Sequence, residues 1–112
     1  METKVNAKKN EIWLVDLNPT IGSEMKRNRP WVIVSPDAMN KFLATVIIAP
    51  LTSTRKNYPS RVDSTFQGTQ GQIALDQLRA VDKIRLTKKM GLLDKQSMED
   101  IRAVLTTMFS DT

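Results

Sequence analysis

The chain lacks both cysteine and histidine, and these two absences exclude several kinds of catalytic and metal-binding site. Without cysteine it has neither disulfides nor thiolate metal sites. Without histidine it lacks the commonest general acid–base and the commonest metal ligand. Any catalysis must therefore use arginine, lysine, carboxylates, hydroxyls or tyrosine. We expect no metal and no organic cofactor.

Long hydrophobic runs are also missing, since no apolar stretch approaches the ~20 residues that cross a bilayer. The first nine residues are polar and contain no apolar segment of the kind found in secretory signals. We therefore expect a cytoplasmic protein with no membrane partner. Aromatic side chains make up only 5% of the chain, which leaves few platforms for stacking nucleobases.

Length and charge narrow the class of protein and of binding partner further. A chain of 112 residues that is 40% hydrophobic and 26% charged has the composition of one small globular domain. We expect a short basic tail at residues 1–9 and a single domain over residues 10–112. The net charge of +5 favours a polyanionic partner, either nucleic acid or an acidic protein. A basic soluble protein without such a partner is the alternative.

Short strand-like segments fill most of the chain, and a helical segment follows them. Apolar and β-branched runs predict strands over residues 11–17, 31–35, 45–49, 61–66, 72–75 and 80–86. Pro50 is expected to end the central part of the third strand, because it has no N–H to donate. A helical stripe with Asp94 as its N-cap consists of Met98, Ile101, Leu105 and Met108. The pattern predicts a mostly β fold, either a small β-barrel or a curved antiparallel sheet, with a C-terminal helix.

The segment from Gly22 to Pro30 is the most distinctive feature that the chain does contain. It holds a glycine turn and three cations, Lys26, Arg27 and Arg29, directly before a strand-like apolar run. An arginine presents a planar fork of donors that matches two phosphate oxygens, so this segment is a candidate phosphate-binding loop. The alternative is a solvated basic turn, since most charge clusters simply lie on the surface.

Several short motifs follow one another in a fixed order. They are Glu11–Thr20, Gly22–Glu24, Arg29–Pro30, Ala49–Ser53 and Leu75–Gln77, followed by Arg79 and Asp82. On these motifs the chain resembles the MazF/PemK family of toxins from bacterial toxin–antitoxin pairs, over nearly its whole length. The resemblance implies an SH3-like barrel or curved sheet. It also implies a metal-independent, sequence-specific endoribonuclease that cleaves single-stranded mRNA, inhibits translation, forms a homodimer and is neutralised by an acidic, MazE-like antitoxin.

Cleavage of RNA without a metal uses the ribose 2′-hydroxyl as nucleophile, and it needs positive charge for the developing phosphorane. Arg29 is the candidate for that charge, and the resemblance implies an acid–base role for it as well. Thr52 is the candidate hydroxyl donor to a phosphate oxygen, because it matches the family's Pro-x-Thr motif; taken alone it is an ordinary threonine at a strand end. Asp76 is either a base or orienter of Arg29, or a structural carboxylate that pairs with Arg79 or caps a turn.

Seven further residues are predicted to contact RNA. They are Ser23, Glu24, Lys26, Arg27, Asn28, Ser53 and Gln77. The cations among them provide affinity for phosphates, whereas Asn28 and Gln77 carry amides that read base edges. Glu24 is expected to stabilise its loop by pairing with a neighbouring cation.

Two other functions remain open at this point. A DNA gyrase poison that resembles CcdB would share the fold, but that activity depends on an aromatic-containing C-terminal end, and this chain ends in Met108–Thr112 instead. A non-catalytic RNA-binding barrel would need more stacking aromatics than three Phe, one Tyr and two Trp. The predicted function is therefore a cleaving toxin.

Overall fold

The computed structural model describes residues 5–17 and 29–110. Within these ranges the strands are β1 Glu11–Val15, β2 Pro30–Ile33, β3 Thr45–Thr52, β4 Arg61–Phe66, β5 Thr69–Ala74, β6 Arg79–Asp82 and β7 Leu86–Leu92. The α-helices are α1 Asp37–Asn40 and α2 Lys95–Met108, and 3₁₀ turns occupy Leu75–Gln77 and Lys83–Arg85.

The strands form one seven-stranded sheet in the order β4-β5-β3-β2-β1-β7, and β6 also pairs with β3. Every described pairing is antiparallel. The predicted mostly-β fold with an antiparallel sheet and a C-terminal helix is confirmed. Among the described strands the sheet is open, with β4 and β7 at its two ends.

Both faces of the central strands are buried, which explains their continuous apolar sequences. Neighbouring residues of β2 lie in different core clusters: Val32 belongs to one that also contains Ile101 of α2, and Ile33 to the other. Trp31 lies in the second cluster and is only 6% exposed. The two clusters hold β2 and β3 firmly between them, so the ends of these strands are well-defined positions for a site.

Pro50 does not end β3, contrary to the expectation from sequence. The strand runs through it to Thr52, and Pro50 lies opposite Trp31 of β2. On the other side of β3, β6 pairs as far as Ile48 and β5 pairs from Leu51 onward. The proline therefore lies where β3 changes partners, at a break in the ladder on that side.

The second half of the chain differs from the predicted strands in two places. The strand expected over residues 80–86 is the shorter β6, followed by a 3₁₀ turn and then by β7, which was not predicted. β7 has little apolar sequence because most of its side chains are exposed, and its pairing with β1 defines it.

α2 was predicted correctly, with Asp94 as its N-cap. The Asp94 side chain accepts a hydrogen bond from the Ser97 N–H at 3.0 Å, and Ile101 is buried on its inner face.

Part of the predicted tail is packed against the sheet. Ala7 is 6% exposed within a core cluster, and the Lys9 N–H donates to Asp37 Oδ1 at 2.7 Å. The division into a tail at residues 1–9 and a domain at 10–112 stays a prediction.

Candidate active site

Arg29 and Thr52 are brought together by the pairing of β2 with β3. The register pairs Trp31 with Pro50, Val32 with Ala49 and Ile33 with Ile48. Continuing this register by two residues sets Arg29 opposite Thr52. Directly opposite residues of an antiparallel pair share a face and lie ~4.5–5.5 Å apart at Cα. Two residues that are 23 positions apart in sequence therefore lie at one end of the central sheet.

The two side chains face a surface groove of about 420 Å³. Its other walls come from the end of β3, from the loop that follows it, and from the β4–β5 hairpin. The lining residues are Arg29, Pro30, Leu51, Thr52, Ser53, Thr54, Phe66, Gln67, Thr69 and Gly71. Three predicted site residues, Arg29, Thr52 and Ser53, thus occur in one groove. Its volume falls within the range of small-molecule and nucleotide sites.

The Thr52 hydroxyl is oriented by the backbone of its own loop. The Thr54 N–H donates to Thr52 Oγ1 at 3.1 Å. A hydroxyl has one proton to donate and two lone pairs. Because the Thr54 amide uses one of those lone pairs, the proton of Thr52 is available to donate elsewhere, and the groove is the space beside it.

Gly71 holds β5 close to Thr52. A Cβ atom at Gly71 would lie 2.6 Å from the Thr52 carbonyl oxygen and 3.7 Å from the Ser53 Cα. The obstructing atoms are backbone, so any larger residue at this position would displace the strand end that carries Thr52. Glycine is needed here for close approach, and no positive φ is involved.

Arg29 is exposed, and it takes part in none of the ion pairs that join described residues. A guanidinium in this state keeps its charge available for an anion that enters the groove.

Asp76 has a different partner from those expected. Arg61 Nε lies 2.8 Å from Asp76 Oδ1, and the Ser60 hydroxyl donates to the same oxygen at 2.9 Å. The hydrogen bond from Arg61 holds the pKa of Asp76 below its usual value, with a smaller contribution from Ser60. Asp76 and Gln77 are exposed residues of the 3₁₀ turn Leu75–Gln77, and neither lines the groove.

A polar network around Gln72 joins this ion pair to the loop after β3. Gln72 is 6% exposed; it accepts from the Lys56 N–H at 2.9 Å and donates to the Lys56 carbonyl at 3.1 Å. It also donates to Asp63 Oδ1 at 3.0 Å. Gln72 thereby anchors the loop whose first residues form one wall of the groove. Sequence reasoning missed it, because a lone glutamine in a strand gives no signal of burial.

The remaining predicted RNA contacts, Ser23, Glu24, Lys26, Arg27 and Asn28, lie outside the described residues.

The β4–β5 hairpin was missed as part of the site. Gly68 marks a turn between two strands, and that much could be inferred from sequence. That the hairpin reaches Arg29 follows only from the pairing of β5 with β3.

No group of three or more carboxylates suited to a metal ion occurs in the part of the chain that the structure describes. In the same part, no helix is long and apolar enough to cross a membrane.

Comparison with known proteins points to one family. The sequence model of the family described as PemK-like, MazF-like toxin of type II toxin–antitoxin system matches residues 8–109. The endoribonuclease EndoA of Bacillus subtilis (strain 168) is 33% identical over 104 residues, which cover 88% of this chain and 90% of that protein. The endoribonuclease PemK of Escherichia coli is 30% identical over 113 residues, which cover 96% and 85%.

A solved structure is similar in fold. It is an endoribonuclease in complex with its cognate antitoxin from mycobacterial species, and it superposes on this chain with a TM-score of 0.79. The match covers 95% of this chain and 99% of that one at 24% identity.

Proposed function

Because the chain belongs to the family of PemK-like, MazF-like toxins of type II toxin–antitoxin systems, we propose that it is an endoribonuclease toxin whose groove binds single-stranded RNA. Two relatives at 33% and 30% identity are named endoribonucleases, which supports cleavage of RNA rather than poisoning of gyrase. The observation that carries the proposal is the β2–β3 register, which sets Arg29, an arginine without an ion-pair partner among the described residues, opposite a threonine hydroxyl in one groove.

In the proposed reaction, the ribose 2′-hydroxyl attacks its own phosphodiester. The O2′–P bond forms and the P–O5′ bond breaks, so the 2′-hydroxyl loses a proton and the leaving 5′-oxygen gains one. The products carry a 2′,3′-cyclic phosphate and a 5′-hydroxyl. Arg29 stabilises the negative charge that builds on the phosphorane, since its donors form a fork. The Thr52 hydroxyl, whose oxygen accepts from the Thr54 N–H, donates a hydrogen bond to a non-bridging oxygen.

We propose that the reaction needs no metal. The chain contains no histidine or cysteine, and the described residues form no cluster of three carboxylates. The cations near the scissile phosphate are then side chains of the protein itself, and Arg29 is the one in the described groove.

Asp76 is proposed as a structural carboxylate rather than a base. Its carboxylate accepts hydrogen bonds from Arg61 and Ser60, and its lowered pKa makes it a weak proton acceptor. Gln77, Ser53 and the five predicted residues between Ser23 and Asn28 remain proposed RNA contacts.

An acidic antitoxin is the proposed protein partner. The family description supports this assignment, and the net charge of +5 fits an acidic chain as well as RNA. We propose that the antitoxin covers the same groove, and that the free toxin cleaves mRNA in the cytoplasm and so stops translation.

A homodimer is part of the proposal. Phe42 and Ile84 are about four-fifths exposed, and their segments are joined by a hydrogen bond from the Lys83 N–H to the Ala44 carbonyl. Large apolar side chains left exposed at one edge support contact with a second copy. Sedimentation of the Phe42→Ser variant against wild type tests this, because the dimer should weaken if this edge forms the interface.

The test of function is cleavage of a long single-stranded RNA in EDTA by wild type, by Arg29→Ala and by Arg102→Ala. Arg102 is exposed on α2, so its replacement removes the same charge away from the groove. Discrete cuts by wild type and Arg102→Ala, lost in Arg29→Ala, are expected. Cuts that require added Mg²⁺ would contradict the metal-independent mechanism, and no cuts under any condition would contradict the endoribonuclease.

A further inference from the structure

The β4–β5 hairpin extends the groove beyond the residues that act on the phosphate. Phe66 and Thr69 are paired, and Gln67 and Gly68 form the two-residue turn between them. Phe66, Gln67 and Thr69 line the same groove as Arg29 and Thr52. The groove therefore places an aromatic ring and a side-chain amide beside the proposed phosphate position, in a space about the size of a nucleotide.

The turn itself gives no reason for a glutamine at this position. Gln67 has φ +53° and Gly68 has φ +77°, which is the left-handed geometry of a tight hairpin turn. Asn, Asp and Gly adopt this geometry most readily, whereas most other residues are strained there. The longer amide is thus held in an unfavourable backbone conformation at the edge of a groove, and such positions are found preferentially at functional sites.

The chemistry of this wall matches a nucleobase. Unstacked bases of single-stranded RNA are bound by stacking on aromatic rings and by hydrogen bonds to their edges. Phe66 is partly buried and is backed by Gly91, where a Cβ would lie 3.3 Å from the Phe66 ring. The Gln67 amide supplies one acceptor and two donors, the combination that pairs with two adjacent positions on a base edge.

We propose that Phe66 and Gln67 form a subsite for the base of a nucleotide adjoining the scissile phosphate, and that Gln67 helps to set which base is accepted. The proposal rests on the proposed function, because the phosphate position is taken from Arg29 and Thr52. It assigns a base contact to the described groove, where Gln77 does not lie.

The test compares Gln67→Asn with Gln70→Asn. Both variants shorten a glutamine of the same hairpin by one methylene. Gln70 is exposed opposite Thr65 and lines a separate hollow beside Asp94, so it serves as the matched control. Asn suits the turn geometry, so Gln67→Asn should melt at or above the wild-type temperature. Any loss of specificity in that variant cannot then be attributed to a damaged fold.

Cleavage of a long single-stranded RNA by each variant is followed by sequencing of the ends. For Gln67→Asn we expect relaxed base preference at one position beside the cut. We also expect a fall in kcat/KM on the preferred sequence of roughly 5- to 150-fold, the range for losing a bidentate base contact. Gln70→Asn should match wild type. Phe66→Leu, checked for folding, should raise KM and leave kcat nearly unchanged, because it removes a stacking surface.

An unchanged cut-site profile and kcat/KM in Gln67→Asn would overturn the subsite while leaving the endoribonuclease intact. If wild type cleaves no RNA, the proposed function itself fails. Selection of binders from a random single-stranded RNA pool by wild type and Gln67→Asn then decides the subsite separately, and identical selected sequences would overturn it.

Discussion

Arg29 and Arg61 are the same residue type in two opposite environments. Arg61 has a side chain only 5% exposed, pairs with Asp76 at 2.8 Å and lies 5.2 Å from the centroid of the Tyr58 ring. Arg29 is exposed at the start of β2 and pairs with no described carboxylate. The first arginine has its charge satisfied within the fold, whereas the second has no ion-pair partner among the described residues.

The comparison extends to the hydrogen-bonding groups around each arginine. Near Arg61, the amide of Gln72 and the hydroxyl of Ser60 are used within the protein. Near Arg29, the Thr52 hydroxyl accepts one internal hydrogen bond, and its O–H group can still donate one. A satisfied polar cluster stabilises the fold, and an unsatisfied one at the surface is available for binding and catalysis.

Replacing each arginine in turn should separate these roles. Of the variants proposed below, Arg29→Ala should lose the most activity. Arg29→Ala should lower kcat/KM by about 10²–10³-fold, the usual effect of removing one transition-state donor, with little change in stability. Arg61→Ala should reduce the free energy of unfolding by about 1.5–3 kcal/mol, because a charged hydrogen bond is lost. Cleavage kinetics and urea unfolding of both variants measure this. Equal activity losses would show that the two arginines are not distinct in role.

Thr52→Val keeps the shape of the side chain and removes its proton donor. We expect a fall in kcat/KM of about 10²-fold, and substantial recovery in Thr52→Ser, which restores a hydroxyl. Single-turnover cleavage of a short RNA containing the mapped site measures both variants. If Thr52→Val cleaves as fast as wild type, the hydroxyl does not act on the phosphate.

Gly71→Ala tests the close approach of β5 to Thr52. The added methyl group would lie 2.6 Å from the Thr52 carbonyl, so the strand end must move. We expect about 1–3 kcal/mol of destabilisation and a loss of activity of roughly tenfold or more, since small displacements of catalytic groups are costly.

The control for Gly71→Ala is Val81→Ala, a truncation of a buried side chain in the second core cluster. It should destabilise the fold without moving Thr52, so its folded fraction should keep wild-type kcat/KM. Equal kinetics for the two variants at conditions where both are folded would contradict a role for Gly71 in positioning Thr52.

The smallest effect on catalysis is expected for Asp76→Asn. This variant should instead change how the free energy of unfolding depends on pH. The pKa of Asp76 is lowered in the folded protein, so its stabilisation is present above the ordinary value of 3.8 and is lost as the pH falls below it. At pH 7 the variant should be less stable by about 0.2–1 kcal/mol, because solvent screens a pair whose carboxylate is exposed. The difference from wild type should shrink as the pH falls below 3.8.

Urea unfolding at a series of pH values, with kcat/KM at pH 7, measures both properties. A stability difference independent of pH would rule out the ion pair as its origin. A loss of kcat by 10²-fold in a stable Asp76→Asn protein would instead identify Asp76 as a catalytic base.

Local patterns predicted many of the elements correctly. β4 has the bounds expected from sequence, because its β-branched and aromatic residues and the glycine that follows them are local signals. α2 and its cap were predicted because helical spacing and an N-cap carboxylate are contained within one segment. β7 was missed because its sequence, with the exposed Lys88 and Lys89, lacks an apolar strand pattern. Only its pairing with β1 makes this segment a strand.

The candidate site was predicted less completely than the fold. Arg29 and Thr52 were identified through motifs, and the structure places them in one groove. Gln72 and Gly71 were not identified, since a buried amide and a close backbone contact depend on neighbours 16 to 19 residues away. The Arg61–Asp76 pair joins residues 15 positions apart, so local sequence pointed to the nearer Arg79 instead.

The amino-acid sequence by itself determined the side chains available for chemistry, the positive charge, the turn at Gly68 and the periodicity of α2, because each is a property of single residues or short segments. Only the tertiary structure decided that Arg61 is neutralised by a carboxylate while Arg29 has no such partner among the described residues, and that the Thr52 hydroxyl lies beside the groove. Those outcomes depend on strand register: β2 against β3 places Arg29 opposite Thr52, and β5 against β3 places the hairpin beside both.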